Sequence, residues 1–133
     1  MDIILATNSD DPYLAFRDVV RFHDGSGYST RITVRSGWIT AEDYMFYFEA
    51  EPFARFLAGL ENIDRTLAGV ALLKPLFEAT FIEFRGTRRG HVEVRGDLIF
   101  SGDLDQRVQF AFETDQTCLA PLIDAFRRVA RCD

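Results

Sequence analysis

Two stretches of this chain repeat their apolar residues every three to four positions, and most of the rest alternates every second position. A chain with two amphipathic helices among many half-buried strands has few ways to hide its apolar surface. Laying the helices on an antiparallel sheet is the simplest. The first helical stretch is EPFARFLAGLENIDRTL, residues 51–67. Phe53, Phe56, Leu57, Leu60 and Ile63 form one stripe, Leu67 extends it, and Arg55, Glu61 and Asp64 fall off it. Pro52 suits the first helical position, where a missing N–H costs nothing. The second stretch is QTCLAPLIDAFRRVARC, residues 116–132, with Leu119, Leu122, Ile123, Phe126 and Val129 as its stripe. Pro121 must fall near the first turn, so the helix starts near Thr117, capped by Thr114, Asp115 or Thr117. Arg127, Arg128 and Arg131 complement the negative end of its dipole.

The remaining segments read as strands. YSTRITVRS sets Tyr28, Thr30, Ile32 and Val34 against Ser29, Arg31, Thr33 and Arg35. VQFAFE places Val108, Phe110 and Phe112 on one face, and HVEVR shows Val92 and Val94. WITAEDYMFYFEA turns Tyr44, Phe46 and Phe48 inward and leaves Asp43, Met45, Tyr47 and Glu49 on the opposite parity. FEATFIEF changes parity between Phe81 and Ile82, as a strand buried on both faces or a bulged one would. IILA, LAFRDVVRF, GVALL and DLIF are weaker strands, with hairpin turns at DGSG and GTRRG. Short turns between consecutive strands favour a meander. The expected fold is α+β: an antiparallel, meander-like sheet with both helices packed on one face. Residues 1–133 are expected to form a single domain. No internal sequence repeat is visible.

Composition narrows function. The net charge is -6, from 21 acids against 15 bases. Nucleic-acid binders carry the opposite footprint, so no nucleic-acid partner is expected. No apolar run approaches the ~20 residues of a membrane span, and the opening MDIILATNSD lacks a basic n-region and a long h-region. A cytoplasmic protein is the expectation, with no membrane association. Cys118 and Cys132 lie 14 positions apart on one expected helix, roughly 21 Å along its axis, too far to pair. They lack zinc-ligand spacing, and Cys118 reads as a small buried hydrophobe. His23 beside Asp24, and His91 with Glu93 two places on, lack the converging partners of a dyad or metal site. There is no phosphate loop, dinucleotide fingerprint or nucleophile elbow. No catalytic residue, metal ligand or cofactor is expected.

Two groups remain as candidate contact residues. Glu42, Asp43, Tyr47, Glu49 and Glu51 gather four acids and one aromatic, with Met45 and Tyr47 on the parity a one-sided helix layer would leave open. Glu42 lies on the inward parity and can join them only past the edge of the core. Arg85, Arg88, Arg89 and Arg95 form the one basic cluster and the second choice, although Glu83, Glu93 and Asp97 are close by in sequence.

The order of segments carries a resemblance. GWITAEDYMFYFEAEPFARFLAGL leads an aromatic strand into a helix opening F-x-R-F, and VQFAFETDQTCLAPLIDAF joins a late strand to the last helix through Q-T-x-L. In these features residues 28–131 resemble the WapI-type immunity proteins and a related bacterial family of small domains. The matching positions are Gly37, Trp38, Phe53, Arg55, Phe56, Gln116, Thr117 and Leu119. Residues 1–27 lie outside the resemblance, and the final proline falls one place later than in the family pattern. The resemblance implies a non-catalytic cytosolic protein that binds and neutralises a polymorphic toxin, often a basic nuclease-type domain. An acidic inhibitor suits such a partner. The alternative is a small-ligand-binding domain or enzyme with a pocket between sheet and helices. The third reading is a plain self-associating domain, a homodimer.

Overall fold

The computed structural model describes residues 1–7, 10–87 and 89–131. Eleven elements follow one another: β1 (Ile3–Ile4), β2 (Tyr13–Arg21), β3 (Gly27–Ser36), β4 (Ile39–Glu49), α1 (Ala50–Thr66), β5 (Gly69–Leu73), β6 (Phe81–Gly86), β7 (His91–Phe100), β8 (Gln106–Asp115), a 3₁₀ turn at Gln116–Cys118, and α2 (Leu119–Arg131). All strand pairings are antiparallel between sequence neighbours, as the alternating pattern and short turns require. The α+β class and the meander are those expected. The meander divides into two four-stranded sheets, β1-β2-β3-β4 and β5-β6-β7-β8, each followed by a helix. The topology therefore repeats as four strands and a helix, twice, although the sequence does not. What recurs is the alternation that leaves each sheet one apolar face, and many sequences satisfy that.

The helix stripes lie where the spacing puts them. Phe53, Phe56, Leu60 and Ile63 of α1 and Leu119, Leu122, Ile123, Phe126 and Val129 of α2 are buried. α1 starts two residues before Pro52, whose ring still falls in the first turn. Leu67 does not extend the stripe. It caps α1 in a left-handed conformation (φ 61°), its N–H donating to the Ile63 carbonyl at 2.8 Å, and its side chain is exposed. The cap of the second helical segment is Asp115, whose carboxylate accepts from the Thr117 N–H at 3.1 Å.

Aromatic rings join the layers. Phe126 meets Phe16 of the first sheet at 5.2 Å between centroids, and Phe53 and Phe56 of α1 at 5.8 and 5.6 Å. Phe56 then meets Phe84 of the second sheet at 5.8 Å. Edge-to-face geometry at these distances adds to the area buried. α1 spans both sheets, approaching β3, β4, β5 and β6, while α2 lies on β1, β2 and α1. Cys118 is buried among these groups, and burial pushes its thiol up to about 11. Cys132 lies outside the described residues.

Two details differ from the alternating pattern. FEATFIEF is neither a doubly buried nor a bulged strand. Strand β6 begins at Phe81, so the parity change marks a loop-to-strand junction, and Phe77 in the preceding loop is 93% exposed. The bulges lie elsewhere, in β2 between Arg17 and Val20 and opposite Ile32–Val34 in β4. Each contains an aspartate at positive φ, Asp18 (50°) and Asp43 (55°), a conformation aspartate tolerates better than most residues. Both flank β3, and both carboxylates converge on Arg31, with Asp43 at 3.5 Å and Asp18 closer. That convergence holds the Arg31 guanidinium above its ordinary range, first through the Asp18 hydrogen bond.

Candidate partner-binding site

The bulge in β4 decides where the acidic group points. In an unbroken strand Glu42 would face inward. The extra residue turns both Glu42 and Asp43 outward, and both are exposed. Beyond the bulge the alternation resumes: Phe46 and Phe48 are buried, while Met45 and Tyr47 are 48% and 52% exposed. Among the described residues β4 pairs with β3 alone, so it is an edge strand of its sheet. Along that edge runs a cleft of about 1000 Å³, bounded across from β4 by Phe77–Thr80 and by the facing ends of β7 and β8. Glu42, Asp43 and Tyr47 line it, with Met45, Phe77, Glu78, Phe100 and Arg107.

The floor of the cleft is a polar clasp between the two sheets. The Tyr44 hydroxyl donates to the Ile99 carbonyl at 2.6 Å and lies 2.9 Å from Thr80 Oγ1, which accepts from the Ile99 N–H at 3.2 Å. Tyr44 is thus more than the core aromatic its parity suggests, and nothing local in the sequence marks its partners 36 and 55 positions away. The wall holds a second pair. Arg107 donates from Nε to Asp97 Oδ1 at 2.8 Å and from Nη2 to the other carboxylate oxygen, and the Asp97 side chain is buried. This bidentate contact holds the Arg107 guanidinium above its ordinary range, first through the Asp97 hydrogen bond, and the carboxylate balances its charge.

Of the five residues grouped by sequence, three share the cleft and two stand beyond it. Glu49 accepts from the Leu76 N–H at 3.1 Å and so ties β4 to the segment after β5. Glu51 sits in the first turn of α1, 3.7 Å from Arg55 one turn on. Asp43 is partly committed to Arg31. Among the described residues no ion pair engages Glu42, nor Glu78, which sequence reasoning passed over because it falls in a loop with no periodicity. Of the basic group, Arg85 and Arg95 lie on the paired strands β6 and β7. Arg85 pairs with Glu83 at 3.2 Å and Arg95 with Glu93, Arg89 lies in the β6–β7 turn at φ 79°, and Arg88 lies outside the described residues. On that outer sheet face Arg85 and Arg95 are thus each balanced by a glutamate two places earlier on the same strand. His91 lies 3.4 Å from Glu113 on β8, and Glu93 follows it two places on in β7. Between sheets and helices, where the alternative reading puts a ligand, lies the core of buried aliphatic and aromatic side chains.

The family model for WapI-like immunity proteins matches residues 23–131. The chain belongs to the WapI-like immunity protein family. No curated protein matches it. Among solved structures it is similar to the Trypanosoma brucei MRP1/MRP2 crystal structures, with a TM-score of 0.55 and 16% identity over 97% of this chain and 81% of that one. At that identity the likeness concerns the fold.

As a WapI-like chain it uses most of the resembling positions for architecture. Phe53, Phe56 and Leu119 are core. The Gln116 side-chain amide reaches α1, donating to the carbonyl of Asp64 at 3.3 Å and its carboxylate at 3.2 Å, and Arg127 pairs with Glu61 between the same helices. Gly37 turns the β3–β4 hairpin at φ 59°, its N–H donating to Asp11 Oδ1 at 3.0 Å. Trp38, at the tip of that hairpin, is fully exposed. Among the described residues no helix is long and apolar enough to cross a membrane.

Proposed function

We propose that this chain is the immunity partner of a polymorphic protein toxin and that it protects, in the cytoplasm, the bacterial cell that makes the toxin. It acts by binding without catalysis. The observation that carries this reading is membership of the WapI-like immunity family across residues 23–131. The charge of -6 supports a basic toxin domain, nuclease-type domains being of that kind, through faster encounter and complementary contact. The contact surface is Glu42, Asp43 and Tyr47 on β4: carboxylates beside an exposed aromatic have the composition of an interface.

The test is protection. Expressed alone, the toxin domain encoded beside this gene should arrest growth, and co-expression of the chain should restore it. In vitro, inhibition should saturate at one equivalent of the chain. No protection would refute the proposal, and inhibition by catalytic amounts would favour the enzyme reading instead.

A further inference from the structure

We infer that the cleft along β4 is the toxin-docking groove and that it takes a cationic, partly apolar segment of the toxin, held between Tyr47 on β4 and Phe77 and Phe100 across from it and paired with Glu42 and Glu78. The inference rests on the immunity reading and adds the mode of recognition.

Three observations carry it. The first is exposed aromatic surface on both sides of one groove. Phe77 is 93% exposed and Phe100 59%, and both line the cleft opposite Tyr47. Large apolar rings in water cost free energy that a partner relieves, and aromatic anchors dominate interface energetics. The second is charge. Among the described residues the acids lining the cleft are Glu42, Asp43 and Glu78, and the one lining cation, Arg107, is already held by Asp97. An approaching guanidinium or ammonium meets Glu42 and Glu78, which no ion pair engages among the described residues, while Asp43 is shared with Arg31; the aromatic faces beside them themselves attract cations. The third is the place of β4 at the edge of its sheet among the described residues, which offers main-chain groups to an incoming polypeptide. A groove about 1000 Å³ in volume, open along a strand edge, suits a peptide segment.

The test uses the whole chain and the toxin domain encoded beside its gene, with binding kinetics measured across a range of salt concentrations. Glu42→Gln with Glu78→Gln should slow association about ten-fold at low salt and flatten its salt dependence. Phe77→Ala with Phe100→Ala should speed dissociation about ten-fold or more, since lost anchors act mainly on the off-rate. Arg85→Ala with Arg95→Ala, on the outer face of the second sheet, should not slow association and should leave dissociation unchanged. These side chains are at the surface, so the variants should keep the wild-type melting temperature. Tight wild-type binding that neither cleft variant disturbs overturns the groove and leaves the immunity reading standing. No binding by the wild type overturns both.

Discussion

At the scale of single residues, Phe126 and Phe56 tie the layers together. Both are 0% exposed, and their rings meet edge to face at 5.6 Å. Each lies mid-stripe, so truncation leaves a cavity that a packed core only partly closes. Phe56→Ala and Phe126→Ala should each cost about 3 to 5 kcal/mol in denaturant titration. Because the rings touch, the double variant should cost less than the sum by about 0.5 to 1.5 kcal/mol. A loss below about 1 kcal/mol for either would contradict a core position.

At the scale of elements, α1 comes close to β5 at Gly59. A Cβ there would meet the Cα of Ala71 at 2.8 Å and the Val70 carbonyl oxygen at 2.9 Å. Two effects oppose each other. Helix propensity alone favours alanine over glycine by about 1 kcal/mol. Overpacking against backbone costs about 1 to 3 kcal/mol, and backbone cannot swing aside as a side chain can. Gly59→Ala should therefore lower the melting temperature. A rise would mean that α1 stands further from β5. The bulges belong to this scale too. They were invisible in the pattern because a single residue at positive φ leaves no periodic trace, yet one of them carries Glu42 to the surface.

At the scale of the whole molecule, two similar halves must be held at one angle for the cleft to exist. The helices and aromatic rings join them on the inside, and the clasp of Tyr44, Thr80 and Ile99 joins them at the cleft floor. Tyr44→Phe removes one hydroxyl and leaves the Ile99 carbonyl and Thr80 hydroxyl short of a partner. Stability should fall by about 1 to 3 kcal/mol in chemical denaturation, as for a buried polar group left unpaired. Unchanged stability would show that water replaces the bond and that the clasp does not hold the halves.

The sequence by itself determined the class of fold, both helices and their buried faces, the meander and the outward face of Met45 and Tyr47. These follow from periods of 3.6 and 2, which are local and survive any tertiary arrangement that buries one face. The family resemblance was legible for the same reason, since Phe53, Phe56 and Leu119 are core residues at fixed spacing. Tertiary structure alone decided that the meander splits into two sheets and that Leu67 caps its helix. It alone gathered Glu42 and Tyr47 with Phe77, Glu78 and Phe100 around one cleft. Those residues lie on different elements and share no period. Only the angle between the sheets, set by long-range packing and by hydrogen bonds across 36 and 55 positions, brings them together.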